Sequence, residues 1–418
     1  MSVRHPETVA RPQRLHRWLP AVLAAGLSLP ATAIEWASGD VQLHGFAAQG
    51  WTLSDGNNIN GHSDDSSGSF LQRELGASLS WRPRGDLLVS GQLASLRAGK
   101  AVDEDLSLEY AVLDWSMDSS ANGHSGLRLG KLKLPFGFYN EGRDAVFGRQ
   151  SVLLPQSVYL GNSGGRALGY FSLWGGGLYR STFHEGVETQ FEVSAYGPQR
   201  LGDQAEIPIL RREASGRFKL DYALLARFSA DFDAGRWRTA ISLSSTELEY
   251  QPGQEPPFLL PGRFSFDQVI VSLQHNRERW NYTAEWVWRS IRLTDLVPGP
   301  FSSEQAVHPG GLYLQAAYRI TPRLQAMLRY DEQYRDQDDR RGFDQSRSSA
   351  TPAPRHYFFG RDWTLGGRMD LRRNVSLFAE FHLVDGAGWV NPLDNPGFGS
   401  GDADRYWHFF TVLAAYRF

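Results

Sequence analysis

The chain has 418 residues, with 43 Lys and Arg against 46 Asp and Glu, and it contains no Cys. The absence of Cys excludes disulfide scaffolds, thiolate metal sites and Cys nucleophiles. The near-neutral charge argues against a nucleic-acid-binding protein, and the lack of an apolar run of about 18 residues after the N-terminal segment argues against a helical membrane protein.

Residues 1–33 have the pattern of a cleaved secretory signal. Basic residues come first, at Arg4, Arg11, Arg14 and Arg17. They precede a short apolar stretch, 19–29, and a small-x-small cleavage pattern, Ala31-Thr32-Ala33. The apolar stretch is too short to span a bilayer. We therefore expect an exported mature chain, 34–418, whose formal net charge changes from −3 to −6 because four arginines and one glutamate are removed.

The remainder of the chain alternates apolar and polar residues over segments of about 10 to 15 residues. In 280–289 the even positions hold Trp, Tyr, Ala, Trp and Trp, whereas most odd positions are polar. The same alternation occurs in 217–228, 324–331 and 375–382. Because successive side chains of a strand point to opposite faces, each segment predicts a strand with one apolar and one polar face.

The segments and their connections predict the architecture. We place strands at 41–53, 69–82, 86–98, 105–116, 125–134, 166–182, 187–197, 217–232, 237–250, 264–275, 280–292, 311–320, 324–335, 360–370, 375–384 and 406–418. Short turns such as 233–236 alternate with long polar loops at 54–68, 135–165, 198–216, 251–263, 293–310, 336–359 and 385–405. This alternation predicts an all-β fold, a transmembrane antiparallel β-barrel of about 16 strands with short periplasmic turns and long extracellular loops. Residues 34–418 would form this single domain.

Aromatic residues lie on the apolar face and cluster near the ends of the segments. Those expected at membrane–water interfaces are Phe218, Trp237, Trp280, Tyr406, Tyr416 and Phe418. Amphipathic rings favour such interfaces. The pattern favours a membrane barrel over its alternative, a secreted soluble all-β protein.

Two regions carry a family resemblance. The chain ends on an alternating strand whose last residue is Phe418, which resembles the terminal signal of Gram-negative outer-membrane barrels. The segment 127–140 contains Gly-Lys-Leu-Lys-Leu-Pro-Phe-Gly and continues into an Arg-Asp…Arg…Ser-Val-Leu-Leu-Pro-Gln-Ser run that ends at residue 157. It is similar to the phosphate-selective porin-like group, as is the segment 44–50. The chain lacks the dense Lys and Arg ladder expected of a dedicated phosphate channel.

The resemblance implies a location and partners. It implies a porin in the outer membrane of a Gram-negative bacterium, surrounded by lipid and lipopolysaccharide. It further implies recognition of Phe418 by the barrel assembly machinery and assembly as a homotrimer.

The long connection 135–165 is the candidate constriction of such a channel. It is apolar for an exposed loop, so folding into the barrel would shelter its side chains from water. Its charged residues are Glu141, Arg143, Asp144 and Arg149, with Arg166 just beyond it. Mixed charges at a narrow point would create a transverse field that orients polar solutes. The alternative is a surface loop that packs on a neighbouring subunit.

The polar faces of the strands supply candidate lumen-wall residues. These are Arg217, Arg227, Arg289, Arg319, Arg329, Arg368, Glu285 and Glu380. The arginines favour anionic or polar organic solutes, and the alternative is that the charges only brace the wall.

These observations predict a passive diffusion channel for small polar or anionic solutes, without cofactor or metal and without a nucleic-acid partner. The rivals are a barrel enzyme of the lipase or protease type and a closed adhesion or structural barrel. Gly161–Gly165 matches G-x-S-x-G around Ser163 but lacks the strand–turn–helix setting of a nucleophile elbow. The loop 55–61 fails the calcium-binding spacing, because Ile59 falls where an oxygen ligand belongs.

Overall fold

The computed structural model describes residues 34–36, 40–100, 102–160, 168, 171–202, 205–210, 215–254, 260–295, 305–348 and 353–418. The expected signal segment 1–33, the G-x-S-x-G match and Arg166 lie outside these residues. Within them, no helix is long and apolar enough to cross a membrane.

Sixteen long strands dominate the described part of the chain. They are β1 Val41–Asp55, β2 Ser69–Arg84, β3 Leu87–Ala98, β4 Val102–Ser120, β5 Gly123–Lys133, β6 Ser172–His184, β7 Val187–Tyr196, β8 Arg217–Phe232, β9 Trp237–Gln251, β10 Gly262–Asn276, β11 Trp280–Thr294, β12 Gly310–Thr321, β13 Leu324–Tyr334, β14 Phe359–Arg372, β15 Val375–Asp385 and β16 Tyr406–Arg417. Shorter strands occur at Ile34–Trp36, Gln199–Arg200 and Gln305–Val307. Short α-helices occur at Gln156–Tyr159, Glu206–Leu210 and Phe343–Ser348, and single 3₁₀ turns at Val146–Gly148, Arg355–Phe358 and Pro396–Ser400.

Each long strand pairs antiparallel with its neighbour along the chain, and the sheet closes on itself. The closing pair joins β16 to β1, with register from His408 opposite Asp55 to Arg417 opposite Phe46. A closed barrel leaves no sheet edge unpaired, which is the condition for a β-protein to span hydrocarbon. The predicted strand number and the alternation of tight turns with long loops are confirmed, except that β3 and β4 are also joined by a short connection.

The outer face of the barrel carries the predicted aromatic side chains. Trp237, Trp280 and Trp286 are exposed, and the ring centroids of Trp280 and Tyr318 are 4.6 Å apart. The residues that alternate with them along β11, such as Thr283 and Glu285, are buried on the inner face. The predicted faces of β11, β13 and β15 are therefore confirmed.

In β8 the predicted faces are wrong at the start of the strand. The pairing with β9 shifts between Leu220 and Tyr222, which marks a β-bulge. Phe218 consequently points inward and is buried, with its ring centroid 4.9 Å from that of Tyr250. The prediction that Phe218 lies at a membrane–water interface is therefore wrong. Arg217 alternates with Phe218 and lies on the exposed outer face, so the prediction that Arg217 lines the lumen is wrong. A bulge adds one residue to one strand and inverts the alternation beyond it.

The apolar core lies inside the barrel. After β5 the chain turns into the interior as residues 134–160, which we call the inner loop. Its side chains form two clusters with the wall. Phe136, Leu154, Val158 and Tyr159 pack against inward residues of β8 to β12, and Val146, Val152 and Leu153 pack against residues of β15, β16 and the loop 386–405. This burial explains why the segment is too apolar for a surface loop.

Candidate functional site: the lumen and its inner loop

Wall arginines hold the backbone of the inner loop. Arg289 on β11 donates to the carbonyl oxygens of Ser157 and Val158, both at 2.8 Å. Arg329 on β13 donates to the carbonyl oxygen of Leu153 at 3.0 Å. Arg368 on β14 reaches the carbonyl oxygens of Phe147 and Arg149 at 2.9 and 3.3 Å. The strands β11, β13 and β14 thus supply charged donors to backbone groups that would otherwise be buried without partners.

Wall carboxylates bind the N–H groups of the same loop. Glu380 on β15 accepts from the backbone nitrogens of Val152 and Leu153 at 2.9 and 3.1 Å. Asp331 on β13 accepts from the backbone nitrogen of Gln156 at 2.6 Å. These bonds link residues far apart in sequence and fix the height of the loop within the barrel.

Glu285 on β11 is the centre of a third attachment. Its carboxylate accepts from the backbone nitrogen of Phe138 at 2.9 Å and from the hydroxyls of Ser272, Tyr159 and Tyr313. The carboxylate is buried, so these donors replace the water that it has lost.

Three of the predicted constriction residues are buried in contacts of the inner loop. Arg149 pairs with Glu74 of β2 at 2.6 Å, and the two side chains are 3% and 2% exposed. Arg143 donates to the carbonyl oxygen of Tyr159, and Asp144 accepts from Lys133 at 2.6 Å. The structure therefore places Arg143, Asp144 and Arg149 in buried attachment positions.

A second group of charged side chains, most of them partly exposed, involves β4, β5, β7 and β8. Glu141 of the inner loop is 42% exposed and pairs with Arg227 of β8 at 3.1 Å. Nearby, Arg128 of β5 pairs with Asp114 of β4 at 3.0 Å and with Glu192 of β7 at 3.3 Å. We call Asp114, Arg128, Glu141, Glu192 and Arg227 the open-side cluster. It brings both signs of charge together in contact ion pairs beside the inner loop, which creates a local field in this part of the lumen.

The open-side cluster contains residues that the sequence reasoning missed. Arg128 stands between two leucines and Asp114 between Leu113 and Trp115, so strict alternation already assigns both to the polar face. Glu192 alternates with Phe191 and Val193 in the same way. Strict alternation therefore predicts all three, but the wall candidates taken from the sequence begin only at β8.

The remaining predicted residues lie at the periplasmic end. Arg319 shares the inward face of β12 with Tyr313 and is exposed near the end of the strand. Phe418 extends the closing pair, because its backbone nitrogen donates to the carbonyl oxygen of Gly45 at 3.0 Å and its carbonyl oxygen accepts from Gly45 at 3.2 Å. The Phe418 ring lies where a Cβ at residue 45 would be.

A basic recess of about 580 Å³ opens at the same end of the barrel. Among the described residues its lining includes five arginines, one histidine and one aspartate: His44, Arg323, Arg368, Asp370, Arg372, Arg373 and Arg417. Asp370 is paired with Arg368 at 2.9 Å. The recess therefore presents mainly positive charge to a solute.

A buried group on β14 and β15 resembles hydrolase chemistry only in composition. His382 Nδ1 contacts Asp362 at 2.7 Å and Thr364 at 3.2 Å, and its Nε2 contacts Glu380 at 3.2 Å. The Glu380 carboxylate also accepts from the backbone nitrogens of Val152 and Leu153, so the group belongs to the attachment of the inner loop. Thr364 and His382 are also almost fully buried, so a substrate would not reach them.

By distance, one group within the described ranges could hold a metal ion. His308, Asp336 and Asp338 bring one ligand atom each to within 4.8 Å of one another in the extracellular loops. Asp338 is exposed, and acidic clusters at a surface commonly stay solvated.

The closed sheet, its sixteen long strands and the inward-folded loop together define the class of fold. It is a sixteen-stranded barrel, a fold that outer-membrane channels share. The chain is similar to the outer membrane channel DcaP of Acinetobacter baumannii, at 15% identity and a TM-score of 0.56, covering 93% of this chain and 100% of that chain.

It is also similar to an anion-selective porin from Comamonas acidovorans, at 11% identity and a TM-score of 0.52, covering 90% of this chain and 99% of that chain. A third similar structure is the trimer form of in-vitro folded OmpT, an outer membrane protein of Vibrio cholerae, at 11% identity and a TM-score of 0.51, covering 90% and 99%. No protein-family model and no curated protein matches the chain.

Proposed function

We propose that the protein is an outer-membrane diffusion channel for small polar or anionic solutes. The observation that carries the proposal is the asymmetric filling of the barrel. The inner loop is fixed against the wall on one side, and partly exposed charged side chains line the other side. A sixteen-stranded barrel is wide enough to hold an aqueous pathway beside such a loop.

The charge distribution supports a preference for anions. A solute that passes the open-side cluster meets Arg128 and Arg227 beside three carboxylates, and then meets the basic recess at the periplasmic end. Because the recess has five arginines and a single, paired aspartate, the last barrier on the route favours negative charge.

Conductance in planar bilayers tests the proposal. The purified protein should produce discrete ion-conducting steps, and its reversal potential in a KCl gradient should indicate that chloride is more permeant than potassium. Arg372→Gln with Arg373→Gln should reduce this preference, whereas Arg84→Gln, which removes an exposed arginine that does not line the recess, should not. Absence of conducting steps would contradict the channel and would favour a closed adhesion or structural barrel.

Three further statements belong to the same proposal. Residues 1–33 are removed as a signal peptide, Phe418 is recognised by the barrel assembly machinery, and the mature barrel assembles as a homotrimer among outer-membrane lipids and lipopolysaccharide. The position of Phe418 in the closing pair supports its role, and the trimer form of the similar Vibrio protein supports the stoichiometry. Mass measurement of the detergent complex tests the trimer, and N-terminal sequencing of exported protein tests the cleavage.

A further inference from the structure

A cavity of about 290 Å³ lies on the extracellular side of the inner loop. Its floor includes Leu153 and Leu154 of the inner loop, and its sides include the strand ends of β10 to β14 and segments of the extracellular loops. We call this cavity the vestibule. A solute that enters from outside would meet it before the open-side cluster.

The vestibule has unusually apolar walls for the inside of a pore. On one side Phe264, Phe266, Ile291 and Leu293 point inward from β10 and β11. Another part of the lining includes Trp389 and Trp407, whose ring centroids are 5.1 Å apart. The interior of a water-filled barrel is ordinarily polar. These walls would bury the apolar body of a solute and gain about 25 cal/mol for each Å² removed from water.

The same cavity contains a cation without a counter-ion. Arg335 follows the last residue of β13, lines the vestibule and keeps part of its surface exposed. Within the described ranges, no carboxylate or carbonyl oxygen accepts a hydrogen bond from its guanidinium. The pKa of Arg335 is lowered, because neighbouring protein atoms displace part of the water around the charged form and no acidic group offsets that loss.

The other charged groups of the vestibule do not neutralise Arg335. Among the described lining residues Asp394 is the single carboxylate, and its side chain is buried and accepts from the backbone nitrogen of Lys100 at 2.9 Å. Arg143 and Arg289 also line the cavity, and they donate to carbonyl oxygens of the inner loop. The lining therefore favours a negatively charged occupant.

We infer that the vestibule binds organic anions in which a carboxylate or sulfonate is attached to an aromatic or branched apolar body, with the acidic group at Arg335. The inference rests on the proposed channel function and specifies the class of solute that the channel would take up. An unpaired guanidinium in an apolar recess gains more from an anion than one in open water, since the interaction is less screened. Small inorganic anions would share the charge contact but would leave the apolar walls unused.

Binding of naphthalene-2-carboxylate to the detergent-solubilised full chain tests this inference. Equilibrium dialysis should show saturable binding that acetate at the same concentration does not displace. Arg335→Gln should weaken binding about tenfold, the value of one charge-assisted hydrogen bond. Arg263→Gln is the matched control, because Arg263 is an exposed arginine that pairs with Glu247 and does not line the vestibule, and it should leave binding unchanged.

A second variant examines the apolar wall, and a second readout separates this site from the channel. Leu293→Asn should weaken naphthalene-2-carboxylate binding because it replaces apolar wall with an amide, and the conductance of the wild type in KCl reports on the channel separately. Equal affinity of the wild type and of Arg335→Gln for naphthalene-2-carboxylate would overturn the inference. The absence of saturable binding in a protein that conducts ions would also overturn it. In both cases the channel proposal would stand. Saturable, Arg335-dependent binding in a protein that never conducts would support the site and overturn the channel.

Discussion

Replacement of Glu380 by alanine should release part of the inner loop. The Glu380 carboxylate is 1% exposed and accepts from the backbone nitrogens of Val152 and Leu153. Its removal leaves two buried N–H groups without partners, each costing about 1–3 kcal/mol. The docked loop should therefore lose about 2–6 kcal/mol, and even the lower value raises the population of the undocked loop about 30-fold.

Thiol labelling can measure this change directly, because the chain contains no Cys. Val152 belongs to the inner loop, is fully buried and is close to cysteine in size. Val152→Cys therefore provides a single thiol on the buried side of the loop. The rate of maleimide labelling at this position should rise about 30-fold when Glu380→Ala is added. Glu380→Gln keeps one carbonyl oxygen as an acceptor and should give a smaller increase.

A thiol at an exposed site serves as the control. Ser66→Cys in the extracellular loop after β1 should be labelled at the same rate with and without Glu380→Ala. Equal labelling of Val152→Cys in both backgrounds, in protein that still migrates as a folded barrel in unheated gels, would refute the role of Glu380 in holding the loop.

Three further predictions concern selectivity and assembly. Arg227→Gln should shift the reversal potential towards cation preference, and Glu141→Gln should shift it towards anion preference. Each change in permeability ratio should be up to about fivefold, the effect of one charge at contact distance in water. Shifts of the same sign would contradict the opposite contributions of these two side chains to selectivity. Gly45→Val should reduce the yield of folded barrel in refolding from urea because the added carbons meet the Phe418 ring, whereas Gly85→Val, with open space around it, should fold like the wild type. Deletion of Phe418 should slow insertion into outer membranes in a cell-based assembly assay, and an unchanged rate would assign the residue to packing alone.

The barrel itself could be predicted from the sequence because its signal is local and repeated. Alternation along β11, β13 and β15 is set by which side chains meet lipid, and each strand repeats it independently. The exception in β8 shows the limit of this reasoning. A bulge between Leu220 and Tyr222 changes the face of every preceding residue, and nothing in the composition of that segment marks it.

The candidate site was less predictable because it depends on contacts between distant segments. The charge content of the inner loop indicated an interior position but not which side chains would meet the wall. Arg149 is buried because Glu74 lies opposite it on a strand 75 residues earlier. Glu141 keeps part of its surface exposed, although it pairs with Arg227 of the wall at 3.1 Å. Only the three-dimensional arrangement separates these two roles.

The inner loop is attached to one side of the barrel wall. Mutations in the two sides of the wall should therefore have different effects on the fold. Substitution of Arg289, Arg329 or Glu380 disturbs the attachment of the loop and therefore the fold. Substitution of Arg128 or Arg227 alters charges that are not attached to the loop backbone. Single substitutions on one flank can therefore change the charge along the lumen, whereas substitutions on the opposite flank release the loop from the wall.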